Sequence, residues 1–297
     1  MLSHLNGPEP KKSQALSAAR DHRYHRQRAL ALTSEEDALA FVEEVGFCFL
    51  FPVHGLELPS LWEAINGGSR PLPDHFNDRA LDLTWEWKDT LPSRRLIYYG
   101  KLLKRKPTLA ALDLLPHFYA LSENCGDPDE YLDHYRDGKL SEEAKRIHEA
   151  LLEHGPQPTS RLRVLAGLPA QQGVARFERA IAELQAGLYI VKSGISDANA
   201  WKYCYVYDLL PRRFPEVVAG AAHIPGKQAR RTLALRYLRT VIAAGVADLA
   251  RLFDWSPALA EQVMAGLLAD GLVEEAAVPG ARGPWLRAVA LDGGGRS

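Results

Sequence analysis

Residues 183–191, ELQAGLYIV, and residues 266–275, GLLADGLVEE, read as the same event in outline. In each, an apolar-striped helix stops at a glycine, Gly187 or Gly271, and a β-rich run begins. Glycine belongs there because a helix end adopts a left-handed backbone without a Cβ penalty. Upstream of the first junction, Ser141 opens a capping pattern before a helix carrying Ala144, Ile147, Ala150 and Leu151. Gly155-Pro156 stops it, Thr159 or Ser160 caps the short helix RLRVLAGL, and a third helix runs from about Val174 to Ala186. LYIVKS and WKYCYVYDL then flank the polar turn GISDANA. Residues 227–290 repeat the plan, with helices ARRTLALRYLRTVIAAG, VADLARLF and PALAEQVMAGLLADG, the last opened by Ser256-Pro257. The strands LVEEAAV and WLRAVAL close the unit. Three helices and a hairpin in this order are the winged-helix plan.

The expected fold class is therefore mainly α with small β-hairpins (α+β), in tandem winged-helix domains. The expected division is a basic segment at 1–33, an altered winged-helix-like domain at 34–138, winged-helix domains at 139–220 and 221–291, and a disordered glycine-rich tail at 292–297. In the N-terminal domain Thr33 or Ser34 caps SEEDALAFVEEVG, Gly46 ends that helix, and FCFLF (47–51) reads as a buried strand. ELPSLWEAI follows as a short helix, and RRLIYYGKLL is expected as the third.

The chain has 297 residues, 36 Lys plus Arg against 37 Asp plus Glu, and a formal net charge of −1. That balance excludes a protein binding by bulk positive charge, but not one with a local basic face. Basic residues do gather at 11–28, 94–106 and 212–239. Solvated helix surface explains any single such run; several together suggest phosphate binding. Arg176 and Arg179 share a face of the third helix of the second domain, and Lys192 and Lys202 flank its wing turn. The corresponding third-domain helix carries Glu261 and Asp270 and no base. The expected duplex-contacting set is Arg20, Arg23, Arg26, Lys101, Lys104, Arg176, Arg179, Lys192 and Lys202.

Other chemistry is sparse. Cys48, Cys125 and Cys204 are far apart and the ten His show no zinc spacing, so no metal is expected. No phosphate-binding glycine loop, GxGxxG or GxSxG is present, so no nucleotide or other cofactor is expected. No apolar run approaches a membrane span, and the start MLSHLNGPEPKKSQ lacks the apolar core of a signal peptide. A cytoplasmic protein, nucleoid-associated when on DNA, is the expectation. Lys88 with Asp89 reads weakly as a Schiff-base pair, because neighbours on a regular element point apart. Trp85 and Trp87 read as core or as the wall of a base-stacking pocket.

Three segments resemble the AlkZ/YcaQ-type winged-helix DNA glycosylase family. They are RQRALAL with VGFCFLFPVHGLELPSLWEAI, then AWKYCYVYDLLPRRFPE, then ARRTLALRYLRTVIAAGVADLARLFDWSPALAEQVMAGLLADGLVEE. The resemblance implies tandem winged helices around double-stranded DNA and hydrolysis of the glycosidic bond of alkylated bases. The family's Gln-apolar-Gln/Asp signature, just after the Gly that follows its first long helix, falls here on Phe49-Leu50-Phe51. Phenylalanine can neither position water nor stabilise an oxocarbenium-like sugar. Glu57, Asp89 and His54 are the nearby substitutes. The expected function is DNA binding in repair or damage recognition. The alternatives are an active glycosylase with non-standard residues, and a transcription regulator or protein-contact module.

Overall fold

The computed structural model describes residues 14–74, 77–122, 124–168, 171–198, 202–278 and 283–289. The proposed tail at 292–297 and the start of the basic segment lie outside the described residues.

After α1 (Gln14–Arg23), the first module runs α2 (Glu35–Val45), β1 (Phe47–Phe49), α3 (Leu61–Asn66), α4 (Arg79–Ser93), β2 (Ile97–Gly100) and β3 (Thr108–Ala111). Helices α5 (Leu115–Tyr119) and α6 (Glu130–Arg136) lead to the second: α7 (Glu142–His154), β4 (Gln157–Pro158), α8 (Thr159–Leu165), α9 (Gln171–Ala186), β5 (Ile190–Ser196) and β6 (Cys204–Leu209). Helices α10 (Leu210–Arg213) and α11 (Pro215–Ala221) lead to the third: α12 (Gly226–Val241), β7 (Ala244–Gly245), α13 (Val246–Phe253), α14 (Pro257–Ala269), β8 (Val273–Ala276) and β9 (Trp285–Ala288). Each module holds one antiparallel three-stranded sheet with its last strand in the middle: β1-β3-β2, β4-β6-β5 and β7-β9-β8. The chain is thus mainly helical with small sheets, an α+β fold.

Local chemistry sets the boundaries. The Ser34 side chain accepts from Asp37 N while Asp37 accepts from Ser34 N, so both ends of the first turn of α2 are satisfied. Ser141 and Ser256 cap α7 and α14 through the N–H groups of Ala144 and Leu259. Gly46 ends α2 at φ 79°, where a Cβ would lie 2.6 Å from Cγ of Arg236. Both the backbone and the close approach of α12 demand glycine there.

One expected helix is not a helix. The segment RRLIYYGKLL contains strand β2, and the third helix is α4, earlier in the chain. Asp78 caps α4 through Leu81 N, and the chain turns at Arg95, φ 57°. Ile97, Tyr98 and Tyr99 are then buried as sheet residues, which suits their β preference.

Strand β1 separates two cores. Phe47 and Phe49 face a cluster shared with Leu233, Tyr237 and Met264 of the third module. Cys48 and Leu50 face Phe41, Leu61, Trp87 and Leu91 of the first module. Burial on both faces accounts for the unbroken apolar run FCFLF. The second module keeps its own core around Ile147, Leu162, Phe177 and Leu184.

Candidate functional site

The modules meet where α4 lies against the hairpin β5–β6. On a helix, positions three and four apart share a face, so Trp85, Lys88 and Asp89 project together. Trp87 points the other way, into the first module's core. From the hairpin come Lys192 on β5 and the period-two stripe Tyr203, Tyr205 and Tyr207.

These side chains form a buried charged centre. Lys88 Nζ donates to Asp89 Oδ1 at 2.7 Å and to Tyr203 OH at 2.7 Å. Tyr203 OH donates to Asp89 Oδ2 at 2.7 Å. Lys192 Nζ pairs with Asp89 and donates to Lys88 O at 3.2 Å. Rings enclose the two amines. Lys88 Nζ lies 4.4 Å from the Trp85 centroid and 5.0 Å from that of Tyr205, and Lys192 Nζ lies 4.4 Å from Tyr205 and 5.0 Å from Tyr99. Such contacts favour the cations. Lys88 and Lys192 are 0 % and 1 % exposed, so the charges are removed from water.

Two cations beside one carboxylate leave an imbalance. Burial, and then the neighbouring Lys192 charge, push the Lys88 amine down to about 8. Burial lowers Lys192 as well, against the pull of Asp89. Burial would raise the Asp89 carboxyl, but Lys192 and Lys88 together hold it below its ordinary value. Burial and the bond to Asp89 raise the Tyr203 phenol, keeping it protonated. The centre therefore offers an amine close to neutrality, a carboxylate and a hydroxyl within one hydrogen-bonded cluster.

Lys192 is thus not an exposed cation beside the β5–β6 turn; it anchors the hairpin to α4. The sequence places it in the strand run LYIVKS, and β5 turns that position inward. The expected divergence of Lys88 and Asp89 is also corrected, because the lysine stem is long enough to curl back to its neighbour. The alternation Y-C-Y-V-Y marks a strand in the sequence, and its period of two is what puts the three tyrosines on one face.

Arg20 is likewise buried. It donates to Val241 O at 2.9 Å, Ala243 O at 2.8 Å and Glu57 at 2.8 Å. Between those carbonyls Ile242 sits at φ 70°, with Ala243 N bonded to Val241 O at 2.8 Å. This tight turn is strained for a β-branched residue, and Arg20 holds it closed. Glu57 accepts from Arg20 and from Tyr24, so it is engaged; His54 is exposed.

Most of the remaining expected DNA-contacting cations have acidic partners. Arg23 meets Glu44, Arg26 meets Glu63, Lys104 meets Asp254, and Arg176 meets Glu143 at 3.4 Å. Lys101 stands 4.0 Å from Glu178. Arg179 and Lys202 are exposed. Of the nine, Arg20 and Lys192 are buried and five more face carboxylates. A concentration of charge lies in a cleft of about 420 Å³ lined by Arg23, Arg236, Arg239 and Arg287, with Glu44 at its side, where the basic runs 11–28 and 212–239 come together. Among the described residues no trio of His, Cys, Asp or Glu is placed to hold a metal, and no helix is long and apolar enough to cross a membrane.

A family model described as AlkZ-related matches residues 32–254. The chain belongs to the AlkZ-related family. No curated protein sequence matches it. Among solved structures, a Streptomyces sahachiroi DNA glycosylase AlkZ is similar with a TM-score of 0.51 and 14% identity, over 91% of this chain and 69% of that one. At that identity the likeness is one of fold. In this AlkZ-related chain Phe49 is fully buried between two modules. Phe51 is half-buried, its ring 6.0 Å from Trp62 and 6.2 Å from Trp85. Neither side chain carries a hydrogen-bonding group. Through Trp85, Phe51 adjoins the Lys88 centre, so the AlkZ-related chain has its polar cluster one aromatic contact away from that pair.

Proposed function

We propose that the protein binds double-stranded DNA through three tandem winged helices and serves DNA repair or damage recognition. The observation that carries this reading is the threefold recurrence of one module, each with helix, strand, two helices and hairpin in the same strand order. In that plan the third helix of a module enters the major groove. In the second module that helix is α9, with Arg176 and Arg179 exposed along it. Family membership and the fold shared with a protein named as a DNA glycosylase agree with a repair role. Exposed Arg179, Lys202 and Arg239 are the phosphate contacts this reading favours. Such a protein would act in the cytoplasm at the nucleoid.

Fluorescence anisotropy of a labelled duplex tests the proposal. Binding is expected at micromolar Kd or tighter in ~50 mM salt, weakening about tenfold to a hundredfold by ~200 mM as release of counterions from the duplex becomes less favourable. Arg179→Glu and Arg239→Glu are each expected to weaken it further. No binding at the lower salt overturns the reading.

A further inference from the structure

We propose that Lys88 is an amine nucleophile for the ring-opened aldehyde of an abasic site in DNA, with Asp89, Lys192 and Tyr203 as its positioning residues. The inference rests on the DNA reading above and adds to it a substrate class and an activity.

The geometry supports it in three ways. Lys88 Nζ is held from two sides, by Asp89 and by Tyr203, each at 2.7 Å. The cover is thin: Trp85 and Tyr203, 41% and 38% exposed, are both within reach of Lys88 Nζ and of solvent. A sugar entering between those rings would take the place of the Tyr203 hydroxyl and meet the amine directly. Rings are the usual surfaces against which nucleotides pack. A structural ion pair, moreover, needs one amine for one carboxylate, whereas Asp89 has two.

The groups facing Lys88 are Asp89 from its own helix, Lys192 from β5, Tyr203 just before β6, Tyr205 from β6, and Tyr99 from β2. Burial and the Lys192 charge bring the amine down to about 8, so a usable share is uncharged near neutrality. In that form Nζ adds to the C1′ aldehyde carbon. A C–N bond forms, the carbonyl oxygen leaves as water with both amine protons, and the imine takes one proton from solvent to become an iminium. The iminium acidifies C2′, whose proton passes to solvent water. The electron pair expels the 3′ phosphate, breaking the C3′–O bond. Hydrolysis of the imine returns Lys88 and releases the unsaturated aldehyde. No oxidant or reductant is consumed.

The full-length protein is incubated with a duplex bearing one abasic site, with sodium borohydride to reduce any imine. A covalent protein–DNA adduct mapping to Lys88 is expected, with strand cleavage when the reductant is omitted. Lys88→Arg and Lys88→Met are each expected to lower adduct yield at least about tenfold, and yield should climb as pH rises through about 8. 2-Deoxyribose 5-phosphate is trapped in parallel, because it needs no duplex binding. If anisotropy shows the duplex bound but neither aldehyde labels Lys88, the amine proposal fails and the DNA reading stands. If the sugar phosphate labels Lys88 but the duplex is not bound, the amine chemistry stands, and both the DNA reading and the abasic-site substrate fail. Adducts mapping to surface lysines, or unchanged in both variants, overturn the proposal outright.

Discussion

Asp89→Asn is expected to lower the unfolding free energy by about 3–5 kcal/mol, the usual cost of leaving a buried charge without its partner. Two ammonium groups, Lys88 and Lys192, converge on that carboxylate at 0 % and 1 % exposure. An amide removes the negative charge but keeps the shape, so packing loss is not the cause. The two amines would then face each other across a ring of tyrosines, and one must lose its proton or draw in water. The loss is expected to ease as pH rises and the lysines deprotonate. Replacing all three groups by apolar residues of similar volume is expected to recover much of it. Urea unfolding followed by circular dichroism at two pH values measures this. A loss below about 1 kcal/mol would mean that water or a chain shift already compensates the centre.

His148 supplies the second large effect. It is 7 % exposed, its ring is tilted 31° to that of Tyr131 with centroids 4.4 Å apart, and its Nδ1 is buried without a hydrogen-bond partner. Burial, and then the nearby Arg212 charge, push its imidazole down to about 4. The unfolded chain takes up this proton near the ordinary value of 6.5, while the folded chain takes it up only near 4. Between those limits the unfolded state binds more protons, so stability falls as pH falls. A shift of this size corresponds to about 3 kcal/mol lost on acidification from neutrality to about pH 4. His148→Phe keeps a ring against Tyr131 and has no proton to take up. Its unfolding free energy is expected to change with pH less than that of the unaltered chain by about that amount. Parallel curves for the two proteins would show that His148 does not titrate in this way.

Local signals reached some parts of the molecule and not others. The capping serines Ser34, Ser141 and Ser256 were legible, because a cap and its helix are neighbours in the chain. So was the apolar strand at Phe47–Phe49. Helix α4 is hard to read in the sequence because its apolar stripe is interrupted by Lys88 and Asp89, which are buried only because the second module covers them. The strand IYYG is not separable from helix in the sequence, because four residues give too little periodicity to distinguish the two. Charge was the least legible property. Basic runs are visible in sequence, but their acidic partners lie far away: Arg20 with Glu57, Lys104 with Asp254, Arg236 with Asp113. Whether an arginine faces solvent or closes a turn, as Arg20 does at Ile242, is decided by tertiary contact.

The measurement that bears most directly on the central claim is a competition titration. A labelled duplex containing an alkylated base or abasic site is displaced by unlabelled duplex of the same sequence, with and without the lesion. The damaged competitor is expected to displace it at a concentration about tenfold lower or better, a difference of ~1.4 kcal/mol or more. Equal displacement by both, together with enrichment of a particular base order from random duplexes, would contradict damage recognition and make the protein a sequence-reading regulator.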